Sequence, residues 1–451
     1  MSNVFYSMKQ VMRHFANAGN LLIVATVLAL LVVNLPFLHD FYESLWTHEM
    51  ALQIGSFNLF SHHGEPMSVM AFINDALMAL FFFQVGLEIK REVLVGELSS
   101  FRQALLPIIA ACGGMIVPVC LFFALGHGTD YADGCAIPMA TDIAFSLGVL
   151  TMLGKRVPIG LKVFLTTLAV VDDIGGILVI AIFYSSHIDY AMLIGAAVVL
   201  LVLALGGKAG IQTKLFYFIL GAAVWFMFLQ AGIHPTIAGV LVAFTVPAKP
   251  VYAPMRFIKM IRENIAHFAS EDDAKLNSRT ILNHQQIDWL KQIESASDKV
   301  ISPLQDLEDQ FAPLVNYIIV PLFAFANAGI FFGDMHPADV VSGVSLAIIV
   351  GLVAGKFLGI FTFSWACIKL GWAPMPSGGN WKRMASVAVV GGIGFTVSLF
   401  IANLSFGTGD PYMSLVLNEA KLGILVGSLL AGILGYLCLN ATLPKEPIEE
   451  E

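Results

Sequence analysis

The feature that most constrains this chain is a repeat of apolar runs about 20 residues long, the length a helix needs to cross a hydrocarbon core of about 30 Å. Read against the turn residues, about twelve such runs occur, with approximate limits 18–37, 68–89, 103–126, 135–153, 158–185, 189–207, 214–232, 233–247, 311–332, 341–368, 384–406 and 414–440. A backbone in lipid must satisfy its own polar groups, so the expected fold class is all-α, a polytopic membrane protein. Composition agrees. Hydrophobic residues make up 57% of 451 positions and charged residues 12%, against about 45–50% and about 25% in soluble domains. A single membrane domain over 1–451 is expected, rather than a string of soluble ones.

Basic residues test this parse, because Lys and Arg collect in cytoplasmic loops. Lys90, Arg91 and Arg102 follow the second span, Lys155, Arg156 and Lys162 surround the turn after the fourth, and Lys208 and Lys214 bracket the next even loop. The loop after the eighth is the richest, and Lys369, Lys382 and Arg383 follow the tenth. The odd loops, including 38–67, hold no Lys or Arg; only Lys356 and Lys421 break the pattern. Both termini are therefore expected in the cytoplasm. Lys9 and Arg13 precede an apolar run without an A-x-A-like cleavage site, so a retained first span is expected rather than a signal peptide. There is no basic arm for nucleic acid. The five cysteines lack paired or metal-ligand spacing, and a disulfide framework is not supported.

Two loops are substantial. Around 48–62, alternation interrupted by Gly55-Ser56 is compatible with an external β-hairpin or with an irregular loop. The charged stretch at about 257–303 reads as a cytoplasmic helical insertion, and Ser302-Pro303 with Gln305 reads as a helix start.

Charges inside spans are penalised by roughly 2.5–3.5 kcal/mol each on insertion scales and are functional candidates. Asp75 lies in the second span, Asp142 in the fourth, Asp172 and Asp173 in the fifth and Lys356 in the tenth. The adjacent pair is the sharpest signal. Neighbouring helix positions differ by about 100° around the axis, so one carboxylate can take a cationic partner while the other lines a cavity. Two such carboxylates titrate as a coupled pair, and a hard cation favours oxygen ligands. One site could then hold either Na⁺ or protons. A structural polar network at a helix crossing is the plainer reading. Asp142 stands beside Pro138 and Thr141, and the eleventh span has its own glycine-rich break at Gly391, Gly392 and Gly394. Paired interrupted segments point to a midplane site in inverted-repeat transporters, where Asp142 would neutralise facing helix N-termini and Lys356 facing C-termini. A buried hydrogen-bonded carboxylate is the bland alternative for Asp142. Lys356 needs a carboxylate partner, and whether it also carries a proton stays open. Asp75 serves either a polar helix contact or the ion path. His234 can sense pH or be a satisfied structural histidine. Glu88, Arg91 and Glu92 form either a solvated helix end or a pH-controlled gate.

Together these residues resemble the NhaA-type Na⁺/H⁺ antiporters. The matching segments are INDALMALFFFQVGLEIKRE (73–92), AIPMATDIAFSLGVL (136–150), LAVVDDIGGILVIAIFY (168–184), GIHPTIAGV (232–240), VPLFAFANAG (320–329), GKFLGI (355–360) and GGIGFTVSLFIANLSF (391–406). The resemblance covers almost the whole membrane domain. It implies inverted repeats with two broken helices crossing at mid-membrane. Asp172 and Asp173 would be the ion and proton site, and the ligands of the transported metal ion. Asp172 would pair with Lys356, and Thr141 and Asp142 would occupy the crossing opposite 391–394. Asp75 would line the cytoplasmic side of the route, and Glu88, Arg91, Glu92, His234 and Glu308 would belong to a pH response. It further implies electrogenic export of Na⁺ or Li⁺ for more than one H⁺ across a bacterial inner membrane, with membrane lipid around the chain, no cofactor, and a homodimer joined through the external hairpin. The chain departs from shorter members in its longer segment at about 257–303, so the pH set-point does not transfer.

Two other classes also use buried carboxylates or broken helices. A sodium-coupled symporter of a small organic solute would need a further substrate pocket, and no clear one is visible in the sequence. A membrane-embedded aspartyl protease would place its carboxylates on separate helices, whereas Asp172 and Asp173 are adjacent. A transporter and not an enzyme is expected.

Overall fold

Apolar runs become helices here because each closes its own backbone hydrogen bonds, and the interruptions fall where the sequence supplies glycine, proline or a capping side chain. The computed structural model describes residues 18–54, 57–58, 60–62, 65–184, 188–250, 252–268, 284–333, 343–407 and 410–444. The protein is an all-α polytopic membrane protein. Long apolar helices run Val69–Val95 (α3), Phe101–Gly126 (α4), Ile159–Phe183 (α6), Tyr190–Lys208 (α7), Pro303–Asn327 (α12), Gly343–Lys369 (α13) and Pro411–Thr442 (α16). Ahead of them come Ala18–Asn34 (α1) and His39–Thr47 (α2), bent by 113° at their junction. Lys214–Gln230 (α8) and Thr236–Thr245 (α9) are shorter apolar helices.

Two segments are broken. A 3₁₀ stretch Ala132–Met139 is followed by extended backbone and then helix Ile143–Met152 (α5). Helix Trp381–Val390 (α14) stops at the glycines, and Phe395–Phe406 (α15) continues at 45° to it. With these counted, every one of the roughly twelve expected spans has a helical counterpart.

Close approaches hold the bundle at glycines. A Cβ on Gly113 of α4 would strike the Gly359 carbonyl and the Phe363 ring of α13. One on Gly239 of α9 would strike the Ala79 carbonyl of α3. Three π-helical turns widen long helices, at Phe72–Leu77, Val315–Ile319 and Gly351–Gly355. The last of these ends next to Lys356. Such turns are frequent at functional sites.

α3 is the seam of the molecule. Phe82 packs into the main core with Phe400 and Phe323, Phe83 and Leu87 pack with α7, α8 and α9, and Val85 and Ile89 pack on Val170 of α6.

Outside the spans, Glu49–Met50, Ser61–His62 and Glu65–Ser68 form a three-stranded antiparallel sheet, and Gln53–Ile54 pairs with Phe57–Asn58. Residues 55, 56 and 59 lie outside the described residues. Of the stretch at about 257–303, helices Pro254–Phe268 (α10) and His284–Val300 (α11) are described and 269–283 are not. α12 opens as its sequence indicates: Ser302 caps the Gln305 N–H at 3.3 Å, with Pro303 in the first turn.

Candidate ion site and its two approaches

The two breaks meet. The Asp142 N–H donates to the Ile393 carbonyl at 2.7 Å, joining the interrupted backbones directly. Asp142 Oδ1 accepts from the Phe145 N–H at 2.9 Å, and Oδ2 accepts from the Thr396 N–H at 3.1 Å and the Thr396 hydroxyl at 2.5 Å. One carboxylate thus caps the N-termini of both α5 and α15, where orphan N–H groups and the helix dipoles favour negative charge.

Lys356 reaches the same crossing from α13. Its Nζ donates to Asp172 Oδ2 at 2.5 Å and to Thr141 Oγ1 at 2.9 Å. The Thr141 hydroxyl in turn lies 2.6 Å from Asp172 Oδ2 and 2.9 Å from the Gly391 carbonyl, and its one proton serves either acceptor. Thr141 thus stands between Lys356 and the Gly391 carbonyl at the C-terminal end of α14. Both side chains of the Lys356–Asp172 pair are fully buried.

The other oxygens of the pair are bare. Asp172 Oδ1 is buried without a hydrogen-bond partner among the described residues. Asp173 is 4% exposed, and no hydrogen bond reaches its side chain among the described residues. The residues there offer carboxylate oxygens to a hard cation, beside a fixed ammonium.

The remaining candidates divide between two ends of α3. At its C-terminal end Arg91 bonds Glu308 at 2.5 Å and Glu92 at 3.0 Å, and Glu88 accepts from Gln84 at 3.2 Å. His234 is not in this group. It lies at the opposite end of α3, its Nε2 3.6 Å from Asp75 Oδ1, its Nδ1 2.8 Å from Thr236 Oγ1 and its ring edge-on to Phe400. Asp75 itself falls in the π-helical turn that follows the strand Glu65–Ser68. Asp75 thus lies with His234 at the end of α3 that adjoins the strands, away from Glu88 and Arg91.

Residues 9–439 match the family described as Na⁺/H⁺ antiporter 1. The chain belongs to that family. Curated relatives named Na⁺/H⁺ antiporter NhaA include those of Phocaeicola vulgatus, 54% identical over 99% of this chain and 98% of the relative, and Porphyromonas gingivalis, 46% identical over 95% and 94%. That of Helicobacter pylori is 42% identical over 96% and 95%. A bacterial multi-pass membrane antiporter is the setting for the residues above.

Three features of this antiporter were not read from sequence. Thr396 completes the coordination of Asp142; its place just after the glycine break was the available signal. Asn403 donates to Asn327 Oδ1 and Asn327 to Asn74 Oδ1, each at 2.9 Å, tying α15, α12 and α3 together. Nothing in three scattered asparagines announces that chain. The third is Gln84, buried in an apolar run.

Proposed function

We propose that this chain exports Na⁺, and Li⁺, in exchange for protons by letting the cation and H⁺ compete for Asp172 and Asp173 under alternating access. The observation that carries this reading is the contrast within the adjacent pair: among the described residues, Asp172 has one oxygen held by Lys356 and Thr141 and one bare, and Asp173 accepts no hydrogen bond. Unmade hydrogen bonds on buried groups are penalised, so these oxygens favour an arriving cation or proton.

The charges can be followed. With Na⁺ bound, two carboxylates, one ammonium and one Na⁺ sum to zero. With both carboxylates protonated, Lys356 leaves the site with one positive charge. The loaded forms differ in charge, so exchange of one Na⁺ for more than one H⁺ is electrogenic. An empty, doubly ionised site is too unfavourable to cross a low-dielectric barrier, so only loaded forms reorient. Asp142 fixes the crossing by capping both broken helices. The Glu88, Arg91, Glu92 and Glu308 group supplies the pH response from one face, and the Asp75–His234 pair lies on the route at the other.

The test is dequenching of a ΔpH dye in energised everted vesicles on adding Na⁺, Li⁺, K⁺ or choline across several pH values. Dequenching by Na⁺ and Li⁺ but not by K⁺ or choline is expected. No response to Na⁺ at any pH, with the protein present in the membrane, would refute exchange.

A further inference from the structure

α3 carries a polar stripe whose deepest member the exchange reading leaves without a task. Gln84, Glu88, Arg91 and Glu92 stand at i, i+4, i+7 and i+8, one face of a helix. The stripe begins beside Glu308 and leads into the bundle. By helical rise, Glu88 lies about 10 Å and Gln84 about 16 Å from the C-terminal end of α3. Val85 and Ile89 pack on Val170, with Ile174 alongside. That packing lays the Gln84–Glu88 turn of α3 against the stretch of α6, Val170 to Ile174, that includes Asp173.

Gln84 is 3% exposed. Its Nε2 donates to Glu88 Oε1 at 3.2 Å. With its NH₂ turned to Glu88, the amide faces its carbonyl away. That carbonyl oxygen is buried and has no hydrogen-bond partner among the described residues. Glu88 and Asp173 lie near enough for their charges to interact. A polar stripe thus ends, one turn beyond Glu88, in an unpaired neutral oxygen, and hard cations take amide carbonyls as well as carboxylates among their ligands.

We propose that the Gln84 carbonyl is a cation ligand on the approach along α3, taking partly dehydrated Na⁺ from Glu88 and passing it to Asp173. The proposal rests on the exchange reading above. A neutral ligand binds Na⁺ without binding H⁺. Gln84 therefore raises cation affinity and leaves the proton competition at Asp172 and Asp173 unaltered.

The experiment uses the full chain in proteoliposomes, with Gln84→Met as a near-isosteric variant and Gln84→Leu as a second. Both are checked by gel filtration and by Na⁺-dependent thermal shift in detergent. Apparent KM for Na⁺ should rise about fivefold, the effect of a single modest ligand, and the thermal shift should require correspondingly more Na⁺. Maximal exchange and the slope of affinity against pH should be retained. The fivefold effect should persist when Gln84→Met is made in a Glu88→Gln background. Unchanged KM in folded variants would overturn the proposal. So would an effect that vanishes in the Glu88→Gln background, because Gln84 would then act only by positioning Glu88. Wild-type proteoliposomes without Na⁺-driven proton movement would overturn the exchange reading instead, and this inference with it.

Discussion

Asp142 and Asp173 are both buried carboxylates at the centre of the bundle, yet their surroundings are opposite. Asp142 accepts three hydrogen bonds, from Phe145 and Thr396, and caps two helices. Asp173 accepts none among the described residues. A carboxylate with three of its about four acceptor sites filled by helix caps is committed to the scaffold. An unsaturated one beside a neutralised neighbour is free to exchange ligands. On the proposed reading, depth in the bundle separates the two roles poorly and hydrogen bonding separates them well.

The sharpest way to break this comparison is to neutralise each carboxylate in turn. Asp173→Asn should abolish Na⁺-driven dye dequenching while the thermal melting of the purified protein stays close to wild type. Wild-type-like transport by a well-expressed variant would remove Asp173 from the site. Lys356→Ala should be the most destabilising change, by about 3–5 kcal/mol, because one charge of a buried pair is left alone. Adding Asp172→Asn should recover part of that loss, and a double variant no more stable than Lys356→Ala would show that the pair does not carry the effect. Asp142→Asn should lower stability by about 1–3 kcal/mol, since an NH₂ then faces N–H or O–H donors. The comparison fails if Asp142→Asn melts like wild type or if Asp173→Asn melts far below it.

Two smaller effects sharpen it further. Na⁺ sharing carboxylates with H⁺ should bind more weakly as pH falls, by up to about tenfold per pH unit for each proton displaced. Maximal exchange at saturating Na⁺ should change less, and Na⁺ binding in detergent should release protons measurably. Affinity independent of pH between about 6 and 9, the range to which burial can lift a carboxylate, would require a separate proton carrier, with Lys356 the leading candidate. Smallest of all, Arg91→Ala should change stability by no more than about 1 kcal/mol, as expected of a pair with a partly exposed partner. It should instead displace the pH profile of exchange at constant maximal rate; an unmoved profile would take the α3–Glu308 group out of the pH response.

The sequence alone determined the spans, because apolar length and self-satisfied backbone leave helix as the outcome. It also determined the breaks, since the extended backbone at Thr141–Asp142 and the turn at 391–394 fall where proline and glycine interrupt the apolar pattern. The intramembrane charges could be picked out on the same grounds, because few residues justify ionisation inside an apolar run. Tertiary structure decided which of those charges are spoken for. Only packing of α13 against the crossing tells that Thr141 stands between Lys356 and the Gly391 carbonyl. Only the contact of α5 with α15 shows that Thr396 saturates Asp142. Only the order of α3 and its neighbours sets His234 with Asp75, far from Glu88. The reason is one of range. Helix propensity, span length and backbone breaks are set by residues close in sequence, whereas the state of a buried carboxylate depends on hydrogen bonds from residues as far as 254 positions away.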